Sequence, residues 1–156
     1  MKKLISLALS LVCVLGLAAC GPKEAPAKAY EITAPVAMQE AGAFSESLEP
    51  LDAEVAFMLY HLGDFDLTPE DLTDCAVLRS SGATCEESAV LVLADEAKAA
   101  QAAEALKVYV EAQIQENTDY RPAEIPKLAK ALVDQQGSTV LLVVSNDMDA
   151  ANSVLK

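Results

Sequence analysis

Apolar and polar positions along the chain alternate with two different periods, and the changes of period mark its elements. Leu48, Leu51, Val55, Met58, Leu59 and Leu62 recur at three and four. That spacing predicts one buried stripe of a helix, with Pro50 in its first turn and Gly63 just past its end. Thr68-Pro69-Glu70-Asp71 has the residues of a capping box, and Leu67 and Leu72 flank it as a hydrophobic staple. Cys75 to Arg79 and Glu86 to Ala94 then read as two strands around Ser80 to Thr84. The second strand is apolar on both faces from Ala89 to Leu93, which suits a central position. Asp95 caps a long helix to about Asn117, whose buried stripe is Ala99, Ala103, Leu106, Val110 and Ile114. Its alanines imply close approach to the sheet. Tyr120 to Pro126 is a loop or broken turn, since Pro122 and Pro126 each remove a donor. Ala131 to Gln135 and Ser138 to Ser145 form a second hairpin about Gln136-Gly137. Asn146 or Asp147 caps a last helix with Ala150, Ala151, Val154 and Leu155 inward. The element order is α-α-ββ-α-ββ-α. It predicts an α+β fold: an antiparallel sheet of about four strands, in two hairpins, with helices on one face.

The N-terminus follows a different logic. Lys2 and Lys3 precede an apolar run from Leu4 to Leu17, followed by Ala18, Ala19 and Cys20. This is the layout of a secretory signal, with an apolar run too short and wrongly flanked for a spanning helix. Leu17-Ala18-Ala19-Cys20 has the form of a bacterial lipobox. Cleavage between Ala19 and Cys20 would leave a diacylglycerol-modified cysteine as the first residue, and several acyl chains anchor far better than one. Gly21 to about Val36 contains Pro22, Pro26 and Pro35 and shows neither period. The expected domains are therefore a signal peptide over 1–19, a flexible tether over 20–47 and one α+β domain over 48–156. The expected location is the extracytoplasmic face of the cell membrane, held by the lipid.

Charge narrows the partners. The chain has 24 acidic residues against 11 basic ones, a formal −13, and losing Lys2 and Lys3 makes the mature chain more acidic still. Nucleic-acid binding is excluded, because phosphate contacts need clustered Lys and Arg. The balance suits solubility and repulsion of other anions, or else an acidic face for a cationic ligand.

Candidate chemistry is sparse. His61 is the only histidine and sits at a helix end, where imidazole often just complements the helix dipole; it has no nucleophile beside it, and no catalytic residues are assigned. His61, Cys75 and Cys85 lack the spacing of a zinc site. Asp64 and Asp66 open like a calcium loop, but Pro69 and Cys75 stand where an EF-hand needs Gly and Glu. They remain the candidates for a weak cation site of another kind. No glycine-rich phosphate loop is present, and no cofactor is expected.

Cys75 and Cys85 are the only cysteines after Cys20. If the first hairpin turns near Ser80 to Gly82, they lie opposite each other, with Cα atoms about 4.5–5.5 Å apart, within disulfide range. A disulfide between them is expected, the alternative being two buried free thiols.

The chain resembles a family of small lipoproteins of Gram-positive bacteria defined only as a domain of unknown function. The resemblance spans about Leu59 to Leu155. It rests on Gly63 to Leu67, Gly82-Ala83-Thr84 with Glu87, Asp95, Tyr120-Arg121-Pro122, and Gly137 leading to Val143 to Asp147. It implies an envelope lipoprotein and supplies no activity and no catalytic residues; Cys75 and Cys85 lie outside its pattern. Two functions remain: a non-catalytic accessory protein that binds an envelope protein partner, or a small-ligand or cation receptor feeding a transporter.

Overall fold

The computed structural model describes residues 28–156. The signal peptide, Cys20 and the start of the tether lie outside the described residues. The order is α1 (Ala34–Glu40), β1 (Glu49–Leu51), α2 (Ala53–Leu59), β2 (Leu72–Arg79), β3 (Glu87–Leu93), α3 (Glu96–Tyr120), α4 (Ile125–Leu128), β4 (Leu132–Gln136), β5 (Thr139–Val144) and α5 (Met148–Val154). Short 3-10 turns occupy Leu62–Phe65, Pro69–Asp71 and Pro122–Glu124. The strands form one antiparallel sheet in the order β1-β2-β3-β5-β4. The α+β class and both hairpins follow the sequence reading.

The capping signals act where they were read. The Asp95 carboxylate accepts from Lys98 N at 2.8 Å and starts α3. The Asp71 carboxylate accepts from Thr68 N at 2.8 Å, closing the capping box, and Leu67 and Leu72 are both buried beside it. Asp147 caps α5 through the amides of Asp149 and Ala150. In the second hairpin Gln136 pairs with Thr139, so Gly137 and Ser138 make the turn, and Gly137 takes a φ of 56°.

Two features depart from expectation. The Leu48 to Leu62 stripe is not one helix. Residues 49–51 form an edge strand on β2, where Pro50 is tolerated because its missing donor faces outward. The Asp52 carboxylate then starts α2 by accepting from Val55 N at 2.9 Å. The sheet accordingly has five strands, and Val55 and Met58 are left exposed. Second, helices cover both faces of the sheet. On one face α2 and α3 bury Ala89, Leu91, Val140 and Leu142. On the other, α1 and α5 bury Val90, Leu141 and Val143. Burying each such side chain contributes about 1.5–3 kcal/mol. That is enough to dock seven-residue helices too short to hold alone.

The α1 half of this second layer is built from residues expected in the tether. Met38 and Ala43 are fully buried, and Tyr30 N donates to Thr139 Oγ1 at 2.8 Å. The Tyr30 hydroxyl donates to the Asp134 carboxylate, and the Ser145 hydroxyl to Ala43 O at 2.7 Å. The folded domain therefore includes residues from about Tyr30 onward. Among the described residues no helix is long and apolar enough to cross a membrane.

Candidate functional site

The polar groups of the domain concentrate at one end of the sheet, where β2 ends, β3 begins and β5 ends. The sequence puts two acids, Glu86 and Glu87, at the head of the most apolar strand pair. Adjacent residues of an extended chain project to opposite sides. Both side chains are buried, at 0% and 2% exposure, and they take separate sets of partners.

Glu87 lies against α2 and α3. The Tyr60 hydroxyl donates to its Oε1, and the Tyr109 hydroxyl to its Oε2 at 2.8 Å. The two tyrosine rings meet edge to face, with centroids 5.1 Å apart. Arg79 pairs directly with Glu87 in the β2–β3 register, and its Nε lies 3.4 Å from Oε2. Burial pushes the Glu87 carboxyl above its ordinary range, although the Tyr60 hydroxyl and Arg79 oppose this by stabilising the anion. Burial, and then the Glu87 charge, push both tyrosine hydroxyls up in turn.

Glu86 reaches into the seam between α1 and α4. It accepts from Ser45 N and Ser45 Oγ, each at 2.7 Å, and from Lys127 Nζ at 2.7 Å. Lys127 also donates to Glu124 Oε1 at 3.2 Å, while Glu124 Oε2 accepts from Cys85 N at 2.9 Å. Burial alone would lower the Lys127 pKa, but hydrogen bonds from Lys127 to Glu86 and Glu124 outweigh it and raise the value.

The connection from Ser80 to Glu86 is held from both sides. Glu46 accepts from Ser80 Oγ and Thr84 Oγ1, each at 2.7 Å, and these bonds hold its carboxyl below the usual range. Arg121, at the end of α3, donates from Nη1 to Gly82 O and Thr84 O at 3.0 Å each. Its Nε donates to Oδ1 of the buried Asn117 at 2.7 Å. Gly82, at φ 123°, supplies the backbone conformation that this loop needs.

The loop also decides the cysteines. Arg79 pairs with Glu87, so the turn is centred on Ala83 rather than near Ser80 to Gly82, and Cys75 faces Leu91. Cys85 lies beyond the start of β3, so at least four strand residues, about 13 Å, separate it from the position opposite Cys75. A disulfide needs Cα atoms within about 7 Å. The expected bridge is therefore not formed: both thiols are free. Burial raises the pKa of each, which keeps them protonated and unreactive.

The remaining candidates from sequence lie away from this end. His61 is exposed just past α2, with Nδ1 3.7 Å from the Asp64 carboxylate. Asp66 takes a φ of 58° and offers its carbonyl to Lys98 Nζ. Among the described residues no three His, Cys, Asp or Glu side chains gather as ligands for a metal ion. The Glu86–Glu87 centre was absent from the sequence candidates. The available signal was two consecutive acids opening an apolar strand, with an arginine ending the strand before it.

Several residues that carry the family resemblance meet here: Gly82, Thr84, Glu87, Arg121 and Ser145. Residues 63–145 match a family described as a domain of unknown function, DUF4358. Neither the curated proteins nor the solved structures include a match to the chain.

Proposed function

The chain belongs to the DUF4358 family, a domain of unknown function, and we propose that it is a lipid-anchored extracytoplasmic protein that binds an envelope protein partner and catalyses no reaction. The observation that carries this reading is the sequence Leu17-Ala18-Ala19-Cys20 behind Lys2, Lys3 and a short apolar run. The folded domain starts by about Tyr30. Ten residues of chain reach at most about 35 Å even when extended, so the domain would work close to the membrane and meet partners held on the same surface. The non-catalytic part of this reading is supported by how the buried acids are used. Glu86, Glu87 and Glu124 are each engaged by groups of the fold, and no buried polar side-chain atom among the described residues lacks a partner. A catalytic acid or base would present its reacting oxygen to a substrate.

The test has two parts. Cys20→Ser is expected to abolish acyl labelling and either release the protein from the membrane fraction or leave it uncleaved. Unchanged labelling and partitioning would contradict the anchor. Crosslinking in intact envelopes is expected to capture one protein in stoichiometric amount, and recovery of the chain only as itself would contradict the accessory role.

A further inference from the structure

The chain has two arginines, Arg79 and Arg121, and both line one cleft beside the Ser80–Glu86 loop. The cleft has a volume of about 330 Å³ and is also lined by Ser80, Ser81, Thr84 and Glu49. Arg121 is positioned by the fold through Asn117 and the two loop carbonyls. None of these partners is a carboxylate, so its charge is uncompensated by any ion pair among the described residues. Its Nη2 has no hydrogen-bond partner there, and no buried polar atom is left unpartnered, so Nη2 faces solvent. Arg79 is engaged on its inner side by Glu87, and a third of its side chain stays exposed. A guanidinium held rigid with its Nη2 hydrogens unpaired is prepared to donate to an oxyanion at little entropic cost. Ser81 adds an exposed hydroxyl at the rim.

We propose that this cleft binds a small molecule bearing a carboxylate or phosphate group. The formal −13 of the whole chain does not forbid this, because distant exposed charges are screened beyond roughly 8–10 Å, whereas the unpaired Arg121 guanidinium acts at contact. Glu49 is the one acid lining the cleft, and it weakens anion binding there. The proposal is independent of the lipid anchor.

The experiment is a titration of the full chain in detergent with sodium phosphate and, separately, sodium succinate. The readout is the NMR shift of the Arg121 side chain and the Gly82 and Thr84 amides, with sodium chloride at matched ionic strength as control. Saturable shifts are expected with phosphate or succinate at about millimolar dissociation constant and not with chloride; whichever binds tighter identifies the group. Ser81→Glu is expected to weaken binding by about tenfold or more, and Glu49→Gln to strengthen it by about two- to fivefold. Neither should move the unfolding midpoint appreciably. No saturable shift up to roughly 20 mM, the same shift with chloride, or undiminished binding in Ser81→Glu would overturn the proposal.

Discussion

Glu86 and Glu87 are neighbours in the chain, equally buried, and solved differently by the fold. Glu87 sits among apolar side chains, satisfied by two neutral hydroxyls and by one guanidinium at 3.4 Å. Glu86 sits in a seam, with an ammonium group at 2.7 Å and a serine donating through both its amide and hydroxyl. Removing a charge from water costs several kcal/mol, and a close opposite charge is what offsets it. Glu86 depends on one cation. Glu87 depends on a hydrogen-bond clamp between two helices and the sheet. One acid fastens α4 and the α1–β1 loop to the head of β3, and the other fastens α2 and α3 to the same place.

The largest effect should come from breaking the Glu86 arrangement. Lys127→Met leaves a buried carboxylate without its cation and is expected to cost about 3–5 kcal/mol in urea unfolding. A loss below about 1 kcal/mol would place Lys127 among exposed ion pairs of little consequence. Next comes the Glu87 clamp. Tyr60→Phe removes a hydrogen bond to the buried Glu87 carboxyl and leaves its oxygen short of a donor, expected to cost about 1–3 kcal/mol. Combined with Tyr109→Phe, it should show coupling, because both hydroxyls serve one carboxylate; strict additivity would mean the two bonds act independently. The smallest effect concerns the two thiols. A reductant should leave the unfolding midpoint unchanged, and alkylation of unfolded, unreduced protein should modify both Cys75 and Cys85. A single blocked pair in the mass spectrum would contradict the register.

Much of the layer facing α3 was legible because its signals are local. Asp95 announces α3, Thr68 and Asp71 announce a turn, and Gly137 announces a hairpin. The alternation within β3 and β5 needs only the strand period. In the opposite layer α5 was legible from its Asp147 cap, and α1 was not. α1 has seven residues, two of its three buried positions are Ala34 and Pro35, and it exists only because Val90, Leu141 and Val143 need covering. Composition alone reads such a segment as a linker. β1 was hidden because the spacing from Leu48 to Leu51 fits a helix as well as a strand end followed by a cap. The cysteine pairing failed on loop length: a bridge there needs a turn centred on Ser80, and the hydroxyl-rich loop centres on Ala83. The candidate site was invisible for a related reason. Tyr60, Arg79, Glu87 and Tyr109 come from four elements, and only the packing brings them together.

Glu87 is a buried carboxyl that burial pushes above its ordinary value of 4.5. The folded chain then binds that proton more tightly than the unfolded chain does. The resulting stabilisation is complete below about pH 4.5 and is lost as the pH rises through the folded-state value. Asp71 and Glu46 are held low, Asp71 chiefly by the Thr68 amide and Glu46 by the Ser80 hydroxyl. Their contribution has the opposite sign and is lost as the pH falls. Above about pH 5 these acids are ionised in both states, which isolates Glu87. The deciding measurement is urea unfolding of the full chain and of Glu87→Gln from pH 5 to 8. The original chain should lose stability relative to Glu87→Gln as the pH rises across that range. Parallel curves would mean that the bonds from Tyr60, Tyr109 and Arg79 fully offset burial, and would contradict a Glu87 proton held more tightly in the folded chain.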